Sequence, residues 1–235
     1  MMDIRRAQVW RAMGLGPIYR LRSGAERSER VVPPVADRAA DIARLEWKDL
    51  QREVAHCRAC PLCETRKQTV FGVGNARADW MLIGEAPGAE EDARGEPFVG
   101  QAGRLLDNML ASIGMSRLGE TPKSVYIANV LKCRPPGNRN PEPEEVAKCE
   151  PFLRRQIELV GPALIVVMGR FAAQSLLGTD SSIASLRGKQ HRISVAGRQI
   201  PVVVTYHPAY LLRNLIDKEK SWADLCLARS VHSTD

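Results

Sequence analysis

The sequence predicts a three-layer α/β/α fold with a central, mostly parallel sheet of four strands. Four short apolar runs lie at 80–84, 125–131, 163–169 and 200–206, and segments with helical spacing separate or follow them. Strands with continuous apolar sequence are typical of parallel sheets that helices cover on both faces. The alternation of such strands with helices therefore indicates a single α/β architecture.

The helices are predicted from the spacing of their apolar residues. The segment "WKDLQREVAHC" has this spacing and leads the chain to its first cysteine, Cys57. Further helices are predicted at 102–114, 142–160, 170–178 and 218–231. Cys226 lies among apolar residues of the last helix, so we expect it to be buried as a small hydrophobic side chain.

The first 44 residues differ from the rest of the chain. They include the polar, proline-containing stretch "SGAERSERVVPPVADRAAD" and show weak periodicity. We predict a basic, partly disordered arm and linker at 1–44, with a short helix around 4–13, and one folded domain at 45–232. The arm is interpreted either as a mobile tail, the simpler interpretation, or as a contact for DNA phosphates.

Composition and charge limit the classes of function. The net charge of +7 and pI of about 9.3 suit a polyanionic partner such as nucleic acid, although a soluble protein rich in arginine has the same values. No apolar run reaches the ~18 residues of a membrane span, and the N-terminus lacks the apolar region of a secretory signal. We therefore expect no membrane association and a location in the bacterial cytoplasm, where clustered cysteines bind metal or do redox chemistry.

Distinctive polar residues follow the predicted strands. "GEAPG" comes at the end of the first strand, Asn129 lies near the end of the second, and His207 follows the fourth. Parallel sheets bind ligands beyond the carboxyl ends of their strands. These residues therefore predict an active site at one edge of the sheet.

The cysteines suggest a metal site rather than a disulfide framework. Cys57, Cys60 and Cys63 are spaced like a ferredoxin run, but the fourth cysteine of that pattern is absent, and a thioredoxin-like motif would follow a strand. The most economical thiolate site combines Cys57, Cys60, Cys133 and Cys149. Spacing alone leaves zinc and an iron–sulfur cluster equally open, and it does not exclude Cys63 as a ligand.

Several motifs together resemble the type-4 uracil-DNA glycosylases, the iron–sulfur members of the uracil-DNA glycosylase superfamily. They are "CRAC", "GEAPGAEEDARGEPFVGQAGRLLD", "YIANVLKCRPPGNRNPEPEEVAKCEPFLRRQ" and "YHPAYLLRN", in the family's order over about 45–225. The resemblance implies that 45–232 is a catalytic domain that hydrolyses the N-glycosidic bond of flipped uracil and so initiates base excision repair. It implies a monomer that acts on single- or double-stranded uracil-containing DNA.

The resemblance also implies a [4Fe-4S] cluster, held by Cys57, Cys60, Cys133 and Cys149, with Cys63 as a bystander. For the uracil it implies contacts from the backbone of Gly84, Glu85 and Ala86 and from the side chains of Phe98, Asn129 and His207. Phe98 would stack on the base. Asn129 would pair with uracil N3–H and O4 and reject cytosine, which reverses that pattern.

The catalytic residues implied by the resemblance are His207, Glu85 and Asn138. His207 would donate to uracil O2 as negative charge develops there. Glu85 would position the attacking water, shape the pocket or stabilise the cationic sugar, and Asn138 is a second candidate for holding the water. A related group traps the DNA covalently through a histidine in a loop after the second strand. Because "KCRPPGNRNP" contains no histidine, we expect turnover.

Loop cations are candidates for phosphate contacts, although any one of them is more simply a surface charge. They are Arg134, Arg139, Arg187, Lys189 and Arg213. The alternative to an enzyme is a non-catalytic iron–sulfur or zinc protein that binds DNA during replication. The presence of Glu85, Phe98, Asn129 and His207 together favours the enzyme, because an idle pocket does not need all four.

Overall fold

The computed structural model describes residues 8, 9, 12, 13 and 37–232. The chain divides into two compact units, 1–36 and 37–235. In the first unit residues 8, 9 and 12 are helical, and the remainder of the predicted helix and arm up to residue 36 lies outside the described residues. The second unit begins with helix α1 (Arg38–Ile42), which the sequence analysis assigned to the arm and whose Ile42 is buried in the core.

The second unit is built on one six-stranded sheet with strand order β1-β3-β2-β4-β6-β5. The strands are β1 (Val73–Gly74), β2 (Trp80–Gly84), β3 (Val125–Asn129), β4 (Leu164–Met168), β5 (Gln190–Val195) and β6 (Arg198–Thr205). The inner four strands, β3, β2, β4 and β6, pair in parallel and confirm the predicted sheet. The structure adds β1 and β5, which pair antiparallel at the two edges.

Alternate residues of the inner strands point to opposite faces, and both faces are buried. On one face Met81 and Ile83 pack in a core with residues of the helices that follow β3 and β4. On the other face Trp80 and Leu82 pack with Leu106 and with residues of the last helix. The α/β/α layering follows from these two cores, because each covers one side of the same sheet.

Nine α-helices follow α1 in the described residues; the five longest agree closely with the predicted segments, and the four shorter ones were not predicted. The nine are α2 (Trp47–His56), α3 (Leu62–Thr65), α4 (Ala89–Arg94), α5 (Gln101–Ser112), α6 (Pro143–Val160), α7 (Arg170–Leu177), α8 (Ile183–Leu186), α9 (Pro208–Leu211) and α10 (Lys218–His232). The prediction for Cys226 is wrong, because its side chain lies on the exposed face of α10. No helix in the described part of the chain has the length and hydropathy that a bilayer span requires.

The carboxyl ends of the parallel strands hold their loops in register. Gly84 of β2 is paired with Asn129 of β3, and the pairing continues past both strands, since Val130 N donates to Gly84 O at 2.9 Å and Leu131 N donates to Glu85 O at 3.0 Å. The loop after β2 and the loop after β3 therefore leave the sheet side by side. The motifs "GEAPG" and "KCRPPGNRNP", which these loops carry, therefore lie together at the carboxyl end of the sheet.

Candidate active site and cysteine site

A cleft of about 440 Å³ opens at this edge of the sheet. Its walls come from the loops after β2 and β3, the segment before α5, and the start of α9. The predicted site residues that line it are Glu85, Ala86, Phe98, Asn129, Asn138 and His207. Gly84 lies directly behind, where an added Cβ would overlap the Asn129 amide oxygen. The structure thus brings every predicted pocket residue to one place.

Asn129 carries a buried acceptor without a partner. The residue is 2 % exposed, and its Oδ1 accepts no hydrogen bond from any described residue. Its backbone oxygen is fixed, because the buried Lys132 Nζ donates to it at 2.7 Å. Leaving a buried polar atom unpaired costs roughly 1–3 kcal/mol, so such an atom in a cleft indicates a place where a ligand supplies the missing donor.

His207 is held in one tautomer. The residue caps the N-terminus of α9, and its Nδ1 accepts from Ala209 N at 3.2 Å. A neutral ring that accepts at Nδ1 carries its proton on Nε2. Burial lowers the pKa of His207 to about 4, with an opposing effect of Glu91 and a smaller lowering effect of Arg213. The imidazole is therefore neutral at neutral pH and has one donor, Nε2–H.

Phe98 lies beside this imidazole in a strained backbone conformation. Its ring stacks on that of His207 with centroids 5.3 Å apart and 29° between the planes. Its φ of 56° lies in the left-handed region, which is unusual for a bulky residue and is found mainly where function constrains the chain. Gly103 allows α5 to pack closely against this turn, because an added Cβ at Gly103 would overlap Phe98 O.

Two further predicted residues line the cleft from its loops. Burial raises the pKa of Glu85 above the ordinary value of 4.5, and the charge of Arg170 opposes this shift. Asn138 also has a left-handed backbone, with φ of 55°, and its Oδ1 accepts from Arg134 Nε at 2.7 Å. Both polar side chains line the cleft.

The four cysteines chosen for the thiolate site converge next to the cleft. Cys57 follows α2, Cys60 precedes α3, Cys133 follows β3 and Cys149 lies in α6. All carry free thiols. Burial raises the pKa of Cys133 to about 11 and that of Cys149 to about 12. The nearby Cys57 acts in the same direction on both pKa values. Burial raises the pKa of Cys60 as well, and the neighbouring Cys63, in α3, adds a smaller effect in the same direction.

Cationic and N–H groups point at these sulfurs. Arg66 Nη1 donates to Cys133 Sγ at 2.9 Å, Lys132 N donates to Cys149 Sγ at 3.3 Å, and Arg38 Nη2 donates to Cys57 Sγ at 3.6 Å. Such donors stabilise thiolate ligands. Among residues 37–232 no three His, Cys, Asp or Glu side chains are arranged closely enough to share a single metal ion.

Comparison with known proteins agrees with this geometry. The family model described as Uracil DNA glycosylase superfamily matches residues 71–227. A type-4 uracil-DNA glycosylase from Archaeoglobus fulgidus is 48% identical over 168 residues, which are 70% of this chain and 82% of that protein. The chain belongs to the type-4 uracil-DNA glycosylase family. Other members similar to it come from Saccharolobus solfataricus, with 44% identity over 69% of this chain and 75% of that protein, and Thermotoga maritima, with 45% over 70% and 82%.

The cleft of this type-4 family member contains one residue that sequence reasoning missed. Glu91 Oε1 accepts from Val99 N at 3.0 Å and Gly100 N at 3.3 Å, while Oε2 accepts from Gly88 N at 3.1 Å. One carboxylate thus ties the "GEAPG" loop to the segment that carries Phe98. The spacing from Gly88 to Glu91 is that of a capping box, and this signal could have identified the residue.

Proposed function

We propose that this protein hydrolyses the N-glycosidic bond of uracil in DNA and releases the free base. The observation that supports this most directly is the unpartnered, buried Oδ1 of Asn129, facing a cleft that also holds the neutral imidazole of His207. The cleft thus offers a buried acceptor, Asn129 Oδ1, and a neutral donor, His207 Nε2–H, which suit the N3–H and O2 groups of a flipped uracil.

Asn129 reads the base in this proposal. Uracil N3–H donates to Oδ1, which otherwise lacks a donor, and the amide N–H₂ donates to uracil O4. Cytosine has an acceptor at N3 and a donor at N4, so it would leave the buried amide doubly mismatched. Gly84 restricts movement of the amide, because its backbone lies against Oδ1. Phe98 supplies the ring on which the base stacks.

His207 stabilises the departing uracil. As the glycosidic bond breaks, negative charge grows on uracil O2, and a fixed Nε2–H directed at that oxygen lowers the barrier without a proton transfer. The backbone N–H of Ala209 on Nδ1 keeps the proton on Nε2. The low pKa of His207 means that a neutral imidazole, and not an imidazolium, makes this contact.

Glu85 and Asn138 hold the water that attacks the sugar. Glu85 as a carboxylate accepts a proton from water and opposes the positive charge of the oxocarbenium-like sugar. Asn138 is fixed by Arg134, so its amide is available as an ordered contact for the same water. The segment between Cys133 and Pro141 contains no histidine, so water remains the nucleophile and the enzyme turns over.

The pH dependence should separate Glu85 from His207. Because burial raises the pKa of Glu85, its carboxylate protonates at a higher pH than an ordinary glutamate, and the single-turnover rate should fall on the acid side with an apparent pKa above 4.5. His207, with a pKa of about 4, stays neutral through this range. We expect Glu85→Gln to lower the plateau by about 100-fold and to remove the acid limb.

The control for this profile is Glu90→Gln, which makes the same change on the exposed face of α4. It should keep both the plateau and the acid limb. An acid limb of unchanged position in Glu85→Gln would exclude Glu85 as the titrating group.

We further propose that Cys57, Cys60, Cys133 and Cys149 hold a [4Fe-4S] cluster. The donor set fits, since the four thiols are free and Arg66, Arg38 and a backbone N–H are positioned to offset thiolate charge. When bound, the cluster supplies a covalent link between α2, the loop after β3 and α6, and hydrolysis needs no electron transfer from it. The buried thiols have raised pKa values, so metal binding must also displace their protons.

Substitution of single cysteines should distinguish ligands from the bystander. Cys133→Ala should lose most of its iron and its brown colour, and thermal stability should fall by about 2–4 °C for each kcal/mol of lost metal-binding energy. Cys63→Ala should retain both, because Cys63 is outside the proposed ligand set and the donors from Arg38, Arg66 and Lys132 go to the sulfurs of Cys57, Cys133 and Cys149. Iron content and melting temperature of the two purified variants are the measurements. Equal iron in both variants would show that the ligand set is wrong.

The substrate is uracil-containing DNA, single- or double-stranded, bound by a monomer in the bacterial cytoplasm. The cations proposed to contact phosphates are exposed Arg213, which lines the cleft, exposed Lys189 and half-buried Arg134. The deciding assay incubates the iron-loaded protein with single- and double-stranded oligonucleotides that carry one uracil, followed by alkaline cleavage at abasic sites. Scission should occur at uracil and not at thymine in the same position. Intact uracil strands would refute the proposed activity.

A further inference from the structure

The turn that carries His207 depends on contacts outside the cleft. Helix α9 has four residues, too few for a helix to be stable by itself. Tyr206 precedes His207 and Tyr210 follows it, and their rings stack across the turn with centroids 4.8 Å apart and 27° between the planes. The stacked rings therefore join the residues on either side of His207.

The outer face of Tyr206 is covered by Arg187, from the loop between α8 and β5. The Arg187 guanidinium lies 4.4 Å from the ring centroid. The edge of the same guanidinium hydrogen-bonds to α10: Arg187 Nε donates to Asp224 Oδ2 at 2.7 Å, and Arg187 Nη2 donates to Lys220 O. The Arg187 side chain is 10% exposed and that of Asp224 1%. This geometry leaves Arg187 little surface for the phosphate contact suggested by the sequence.

The other end of the turn is fixed to the same part of the chain. Tyr210 Oη donates to Asp217 Oδ2 at 2.6 Å, and Asp217 forms an ion pair with Lys220 at 2.8 Å. Arg187 and Tyr210 thus both connect the His207 turn to the start of α10. A continuous stack of guanidinium and two aromatic rings runs between these two attachments.

We propose that Arg187 is a positioning residue for His207, acting through Tyr206, in the uracil-releasing reaction proposed above. Arginine suits this place because its planar face stacks on an aromatic ring while its edge makes directed hydrogen bonds to a carboxylate. Lysine keeps the charge but has neither the face nor the fork. A displacement of ~1 Å at a catalytic group can cost about 100-fold in rate, so a loosened turn would lower the rate without any change at the cleft surface.

Two variants test this inference on the whole, cluster-containing protein. Arg187→Lys keeps a positive charge beside Asp224 and removes the stack, whereas Tyr206→Leu keeps the ion pair and removes the ring. We expect each to lower the single-turnover rate of uracil release by about 10- to 100-fold, with the dissociation constant for uracil-containing DNA changed by less than about threefold. The matched control is Arg192→Lys, the same change at an exposed position of β5.

The second readout does not depend on activity. In the unaltered protein the ¹⁵N signals of His207 should be those of a neutral ring protonated at Nε2. Arg187→Lys and Tyr206→Leu should move them toward a mixture of tautomers as the bond from Ala209 N weakens, and Tyr206→Phe, which keeps the ring, should not. Unchanged His207 signals in both variants, or a rate equal to that of the control, would overturn the inference. Failure of the unaltered protein to release uracil would instead refute the proposed function and leave this NMR test in place.

Discussion

His207→Ala should slow uracil release by roughly 100- to 1000-fold while binding of uracil-containing DNA changes little. The Nε2–H contact to uracil O2 strengthens only as charge develops, so its loss should appear in the chemical step. One lost donor of this kind costs roughly 2.7–4 kcal/mol of barrier. Single-turnover rates at saturating enzyme, with dissociation constants from titration of the same oligonucleotide, measure the two effects separately.

A histidine elsewhere provides the control. His232 lies at the end of α10, where its ring packs edge-on against Trp80. His232→Ala should therefore affect stability but leave the single-turnover rate close to that of the unaltered protein. A His207→Ala rate within about threefold of the unaltered rate would remove His207 from the mechanism.

The inner strands were predictable because each is buried on both faces. A run such as Leu164–Met168, with every residue buried, has to be almost entirely apolar, and this pattern is visible without knowledge of its neighbours. The edge strands lack it. β5 alternates exposed and half-buried residues, and β1 has two residues, so neither forms an apolar run that could be recognised.

The candidate site was predictable where position along a strand determines position in space. Glu85, Asn129 and His207 follow the ends of parallel strands, so the topology alone brings them to one edge. Arg187 could not be placed in this way, because its partners are a ring and α10 groups far away in the sequence. Glu91 was missed although its capping-box spacing is visible in the sequence. Likewise the resemblance implied the four cysteines, but not that Arg66 and Lys132 would donate to their sulfurs.

Asn129→Asp should reduce uracil release by roughly 10- to 100-fold or more and create a weak cytosine-releasing activity. An ionised carboxylate has no donor for uracil O4, and a mismatched buried group costs roughly 1–3 kcal/mol. Its charge would also oppose the developing uracil anion. The protonated acid offers cytosine both a donor for N3 and an acceptor for N4–H. Burial favours that acid form, so the new activity should rise as pH falls.

The measurement is abasic-site formation across pH 5–8 in matched oligonucleotides that carry one target uracil or one target cytosine. Because cytosine is a poorer leaving group than uracil, the new activity should stay well below the uracil activity of the unaltered protein. Asn108→Asp introduces the same charge on the exposed face of α5 and should retain uracil release without cytosine release. Full uracil activity in Asn129→Asp would mean that the unpartnered Oδ1 does not read the base. Loss of uracil release with no cytosine release at any pH would mean that the amide orients the base, while another group in the cleft distinguishes the two pyrimidines.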